Sequence, residues 1–113
     1  MEVSFTNAKL GKLCNSISKL RGKYGPKMGP LIAQRLVEMD GADTLADLAL
    51  LPGPRAHSLQ ENFKGHWAAN LIHPYRLIFK PANDPLPKLP DDGLDTGRVT
   101  AVEVIGVVNY HKS

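Results

Sequence analysis

The chain has one cysteine, Cys14, which excludes an internal disulfide and any CxxC metal site. Cys14 falls at helical spacing with Leu10 and Ile17, as a small buried hydrophobe would. No apolar run approaches the ~18 residues of a transmembrane helix, so membrane insertion is not expected. The opening Met1-Glu2-Val3-Ser4-Phe5 has an early acid and no long apolar stretch, so no secretory signal is expected. There is no carboxylate cluster of the kind that holds a metal, and neither metal nor other cofactor is expected. What is present is ordinary for a globular domain: 113 residues, 42% hydrophobic and 22% charged. That is enough for one modest core and one domain spanning 1–113.

Charge is mild in sum, at +3, but unevenly placed. Residues 1–35 carry seven Lys/Arg (Lys9, Lys12, Lys19, Arg21, Lys23, Lys27, Arg35) against Glu2 alone. Residues 36–63 then carry five acids and one Arg, and residues 64–80 carry Lys64, Arg76 and Lys80 with no acid. Two separated basic regions point to an anionic partner, RNA first among them. The plainer alternative is a solvated cationic helix face.

Glu2 to Phe5 alternates as a short strand. Thr6 or Asn7 can cap a helix, and Leu10, Leu13, Cys14, Ile17 and Leu20 predict an amphipathic helix over about 7–22. Gly22-Lys23-Tyr24-Gly25-Pro26 breaks it, and Met28, Ile32, Arg35/Leu36 and Met39 carry a second helix to about residue 40, giving an αα-hairpin. Thr44-Leu45-Ala46-Asp47 is a capping box with Asp for the usual Glu, and a short helical turn follows. Strands are expected at 57–59, 65–72, 75–80 and 99–108, with His73-Pro74 as a tight connection. Between the last two, about 81–98, four prolines and four aspartates predict a long loop with little to bury. The expected fold is α+β, the N-terminal hairpin packed on one face of a mainly antiparallel sheet of four or five strands.

The candidate chemistry gathers late in the chain. In Tyr75-Arg76-Leu77-Ile78-Phe79, alternation puts Leu77 and Phe79 on one face and Arg76 on the other. A mid-strand guanidinium needs a reason: a structural ion pair, or a rigid hold on a phosphate. His57, Lys64 and the terminal Tyr110-His111 extend the cluster to two imidazoles, a phenol, an ammonium and a guanidinium. Such a set suits cleavage of RNA by its own 2′-hydroxyl. One group takes the proton of the attacking hydroxyl, another protonates the leaving 5′-oxygen, and fixed cations stabilise the phosphorane. A lone terminal His is otherwise an ordinary surface residue.

His57-Ser58-Leu59, Lys64-Gly65-His66-Trp67, Tyr75 to Pro81 and Val104 to His111 resemble, in order and spacing, the HigB branch of the RelE/ParE toxin superfamily. The loop Pro81-Ala82-Asn83-Asp84-Pro85 is similar to a subgroup with a longer final connection. The resemblance covers nearly the whole chain and implies a RelE-like fold. It implies a cytoplasmic toxin of a type II toxin–antitoxin pair, acting as a ribosome-dependent mRNA endoribonuclease. It also implies a helix-turn-helix, HigA-type antitoxin, and operator DNA bound through the complex. Carried over by position, His57, Arg76, Tyr110 and His111 are catalytic and Lys64 is a basic residue of the same loop. Lys80 and the helical lysines Lys9, Lys12, Lys19 and Lys23 are expected to contact RNA.

This chain departs from that pattern at four places. Gln60 and Phe63 stand where Lys and Arg are common, Asn70 replaces a frequent Arg, and Asn109 precedes Tyr110 where an acid is usual. Each swap removes charge, and RNA affinity falls with each lost phosphate contact. Two alternatives therefore stay open: a weak or inactive module that binds an antitoxin and operator DNA, and a ParE-like gyrase inhibitor.

Overall fold

Short polar side chains set the helix starts. Asn7 accepts from the Leu10 N–H at 2.8 Å and opens α1 (Ala8–Cys14). Ser16 accepts from the Lys19 N–H at 3.2 Å and opens α2 (Ile17–Gly41). Thr44 accepts from the Asp47 N–H at 3.2 Å and opens α3 (Leu45–Leu50). Asp47 takes the Thr44 hydroxyl in return, at 3.0 Å. The structure is a computed structural model that describes residues 1–109.

The single helix expected over 7–22 is thus two. Asn15 and Ser16 offer the backbone local partners and end α1, which is why such residues cap helices better than they continue them. The break moves Ile17 off the buried stripe: it is 45% exposed, against 1% for Leu20. Cys14 is half-buried, and burial pushes its thiol up.

The expected hairpin link is at Gly25, whose φ of 94° is the left-handed conformation that favours glycine. It splits α2 into arms 17–24 and 26–41. A Cβ on Gly29 would stand 2.7 Å from the Arg21 nitrogen. Along a straight helix those positions are about 12 Å apart, so the chain reverses at Gly25.

Five strands form one sheet in the order β1-β5-β4-β3-β2. β1 (Glu2–Phe5) runs parallel to β5 (Ala101–Asn109). β4 (Tyr75–Pro81), β3 (Trp67–Asn70) and β2 (His57–Ser58) follow antiparallel. The strand expected over 65–72 is shorter because turns take its ends. His66 N–H donates to the Phe63 carbonyl and Tyr75 N–H to the Ile72 carbonyl, each at 2.9 Å.

Leu77 and Phe79 are fully buried against Ile32 and Met39 of α2 and Leu45 and Leu48 of α3. Ile78 packs on the opposite face with Leu59 and Ala68, under Phe63, Ile105 and Val108. A bulge in β5 sets this division: Ile78 pairs with Gly106 and Phe79 with Val104, leaving Ile105 over. Past it, Val107 faces the helices with Leu77, and Val108 faces outward opposite Arg76.

The loop read as having little to bury is pinned instead. Pro87 is buried and Leu94 packs on the main core. Asn83 Oδ1 accepts from the Thr100 and Ala101 N–H groups, both at 3.0 Å, and Leu45 N–H donates to the Val99 carbonyl at 3.0 Å. A few well-placed anchors outweigh the polar average. No helix among the described residues is long and apolar enough to cross a membrane.

Arg35, counted above among the basic residues, is only 9% exposed. Its Nε donates to the Asn70 carbonyl at 2.6 Å and its Nη1 to Glu38 Oε1 at 2.9 Å, joining α2 to the end of β3. Arg35→Ala would strand both acceptors. Urea denaturation should show a loss of about 2–3 kcal/mol. An unchanged midpoint would mean that the clamp carries no stability.

Candidate functional site

His57 opens β2 and is exposed, so local contacts must orient it. Its Nδ1 lies 2.8 Å from the Arg55 carbonyl oxygen. A carbonyl only accepts, so Nδ1 carries the proton and the Nε2 lone pair is left as the acceptor in the neutral ring. Arg55 holds that carbonyl in place with φ 46°, a left-handed conformation uncommon for a residue with a side chain.

Arg76 sits in β4 opposite Asn70 of β3 and Val108 of β5. It is half-buried, and its Nη1 donates to the neighbouring Tyr75 carbonyl at 3.0 Å. Among the described residues no carboxylate pairs with it, so the ion pair weighed above as its reason is not there. Asn70 is held on both sides: its N–H donates to the Pro54 carbonyl at 2.7 Å, and its carbonyl takes the Arg35 bond.

Arg55, His57, Asn70 and Arg76 line an open cleft of about 620 Å³. The end of α3 and the turn after it, Ala49 to Pro52, line the same cleft. Among the described residues no acid lines it. Two guanidiniums beside an imidazole form a field that concentrates anions, and the fork of Arg suits a phosphate.

The other expected residues are distributed as follows. Lys64 is exposed at the end of the 3₁₀ turn Glu61–Phe63 and does not line this cleft. Lys80 lies four residues along β4 from Arg76, about 13 Å at strand rise. There it pairs with Glu103 at 3.7 Å. Tyr110 and His111 lie outside the described residues; the last described one, Asn109, is in register with Tyr75, beside Arg76. Phe63 packs over Ile78 instead of presenting charge.

Lys9, Lys12, Lys19 and Lys23 surround a second concavity of about 540 Å³, floored by Leu10, Leu13 and Ile105. None of the four pairs with an acid among the described residues. Lys23 Nζ also stands 5.6 Å from the Tyr24 ring centroid.

No family model and no curated protein matches the sequence. Among solved structures, the YoeB–YefM complex from Staphylococcus aureus is similar with a TM-score of 0.56, over 99% of this chain and 98% of that chain. The fold is RelE/YoeB-like. At 15% identity the two share architecture, and side chains must be argued here from their own geometry.

Within this RelE/YoeB-like fold the residue that sequence reasoning missed is Arg55. Its signal was its place in Gly53-Pro54-Arg55-Ala56-His57, two residues before a candidate base in a turn-forming segment. The left-handed turn that brings it into the cleft has no such signal. Arg35 was legible at its place on the stripe of α2 with Met28, Ile32 and Met39, but its bonds to the Asn70 carbonyl and Glu38 were not.

Proposed function

We propose that this chain is a toxin of a type II toxin–antitoxin pair and an endoribonuclease that cleaves mRNA on the ribosome. The observation that carries the reading is the cleft that brings His57 together with Arg55 and Arg76, with no acid among its described lining residues. In the proposed reaction, His57 Nε2 takes the proton of the 2′-hydroxyl. The freed oxygen attacks the adjacent phosphorus, and the bond to the 5′-oxygen breaks. The products are a 2′,3′-cyclic phosphate and a 5′-hydroxyl. Arg55 and Arg76 stabilise the charge that develops on the phosphorane. A positioned base of this kind contributes roughly 10²–10⁴-fold, and a lost oxyanion donor costs roughly 10²–10³. Tyr110 or His111 is the proposed acid, since both follow directly on the strand that pairs with Arg76. The sequence resemblance and the fold shared with YoeB support the toxin class. That YoeB was solved in complex with YefM supports a small protein partner for this chain, proposed as a HigA-type antitoxin that also bridges to operator DNA.

A non-catalytic, partner-binding module is the second reading, favoured by Phe63, which fills an apolar cluster where the resemblance expects a cation. Controlled expression followed by primer extension separates the two. Discrete new ends within translated mRNA are expected. Intact mRNA, or arrested DNA supercoiling instead, would exclude the nuclease.

The lysine groove is proposed to dock on ribosomal RNA. Reversing Lys9, Lys12, Lys19 and Lys23 to Glu should weaken ribosome co-sedimentation and flatten its log–log salt slope by about 3. Cleavage of naked RNA should change far less. Wild-type co-sedimentation across a salt series would reduce these lysines to a solvated face.

A further inference from the structure

The cleft has a half that the reaction above does not use. Besides Arg55, His57, Asn70 and Arg76, its lining includes an apolar wall of Leu50, Leu51 and Pro52 at the end of α3. Leu50 is 81% exposed, the most of any large hydrophobic among the described residues, and Leu51 is 38% exposed. The inward stripe of α3 is already complete, because Leu45 and Leu48 are fully buried and Thr44 and Pro52 bound the helix. Leu50 therefore contributes nothing to the core, and a bulky aliphatic exposed beside a cationic cleft calls for an occupant.

We infer that this wall is a nucleobase subsite. A nucleotide is a phosphate joined through ribose to a flat apolar face, and the cleft's lining joins the same two kinds of surface: guanidiniums, and leucine with proline. The base whose phosphate lies between Arg55 and Arg76 rests on Leu50 and Leu51. An aliphatic wall offers no hydrogen bonds, so the subsite holds a base by its face and does not select among bases by their edges. The alternative occupant, an apolar side chain of a protein partner, would not engage the two guanidiniums beside it, which pair with no carboxylate among the described residues.

The inference rests on the nuclease reading, and ligand titration separates their failures. With methyl-labelled leucine and labelled arginine side chains, adenosine 3′-monophosphate and inorganic phosphate are titrated separately and followed by NMR. Both probes should move the Arg55 and Arg76 signals. Only the nucleotide should move the Leu50 and Leu51 methyls, and upfield, as the ring current of a base stacked on them requires. Leu50→Ser, at a site too exposed to affect folding, should weaken the nucleotide about fivefold and leave phosphate binding unchanged. If the arginines respond but the leucine methyls stay still, the subsite is wrong and the phosphate cleft stands. If neither probe moves any of these signals, both readings fall.

Discussion

Replacing Arg76 with alanine should abolish growth inhibition while the protein stays folded and still binds its partner. The structure explains why loss of function and loss of fold separate here. Arg76 is half-buried, pairs with no carboxylate among the described residues, and donates from Nη1 to the carbonyl of its own neighbour, Tyr75. Removing it strands no buried charge, which is the usual source of a large stability loss in such positions. It does remove a guanidinium that lines the cleft, at a cost of roughly 10²–10³ in cleavage rate. Arg76→Lys should recover only part of this, because an ammonium keeps the charge but not the planar fork. Growth curves, melting temperature and co-purification with the antitoxin together decide the matter. A variant that stays fully toxic, or that unfolds, would return Arg76 to a structural role.

That the outer-facing position of Arg76 was legible follows from the period of a strand: alternation alone places it opposite Leu77 and Phe79. The helices were legible for the same kind of reason, and so was the turn at 22–26, where Gly25 must adopt a conformation most residues avoid. The break at Asn15-Ser16 was not, because a hydrophobic stripe continues through it and only the capping geometry interrupts it. The bulge at Ile105 was equally hidden, since three β-branched residues around it fit a regular strand as well as a bulged one. The site divides the same way. His57 and Arg76 were visible as residue types. Their meeting depends on the register of β2, β3 and β4, and the apolar wall depends on where α3 stops. The four lysines read as a basic stretch, but the groove they share exists only because the helix breaks at Ser16 and turns at Gly25. Arg55 was marked only by its place before His57, because the backbone angle that sets its carbonyl leaves no trace in residue type.

That angle makes Arg55 separable into two parts, and three substitutions pull them apart. Its guanidinium belongs to the cleft, and its carbonyl fixes the tautomer of His57. Arg55→Gly and Arg55→Asn both accept a φ near 46°, so both keep the carbonyl on Nδ1 and lose only the cation. Each should cleave roughly 10²–10³ slower, with stability near that of the parent, since the strain relieved in the glycine variant offsets its added chain entropy. Arg55→Val removes the cation as well and resists the left-handed conformation, at a cost of about 1–3 kcal/mol in stability. If its segment relaxes, the carbonyl leaves Nδ1 and the ring is free to take the other tautomer. A wrong tautomer at a catalytic histidine costs up to about 10⁴ in rate, so this variant should be far slower than the other two. Nitrogen-15 shifts of His57 read the tautomer directly: protonated at Nδ1 in the parent, Gly and Asn forms, and mixed in the Val form. Equal rates and equal ring shifts across all three would show that the Arg55 backbone does not orient His57, and that the guanidinium is its whole contribution.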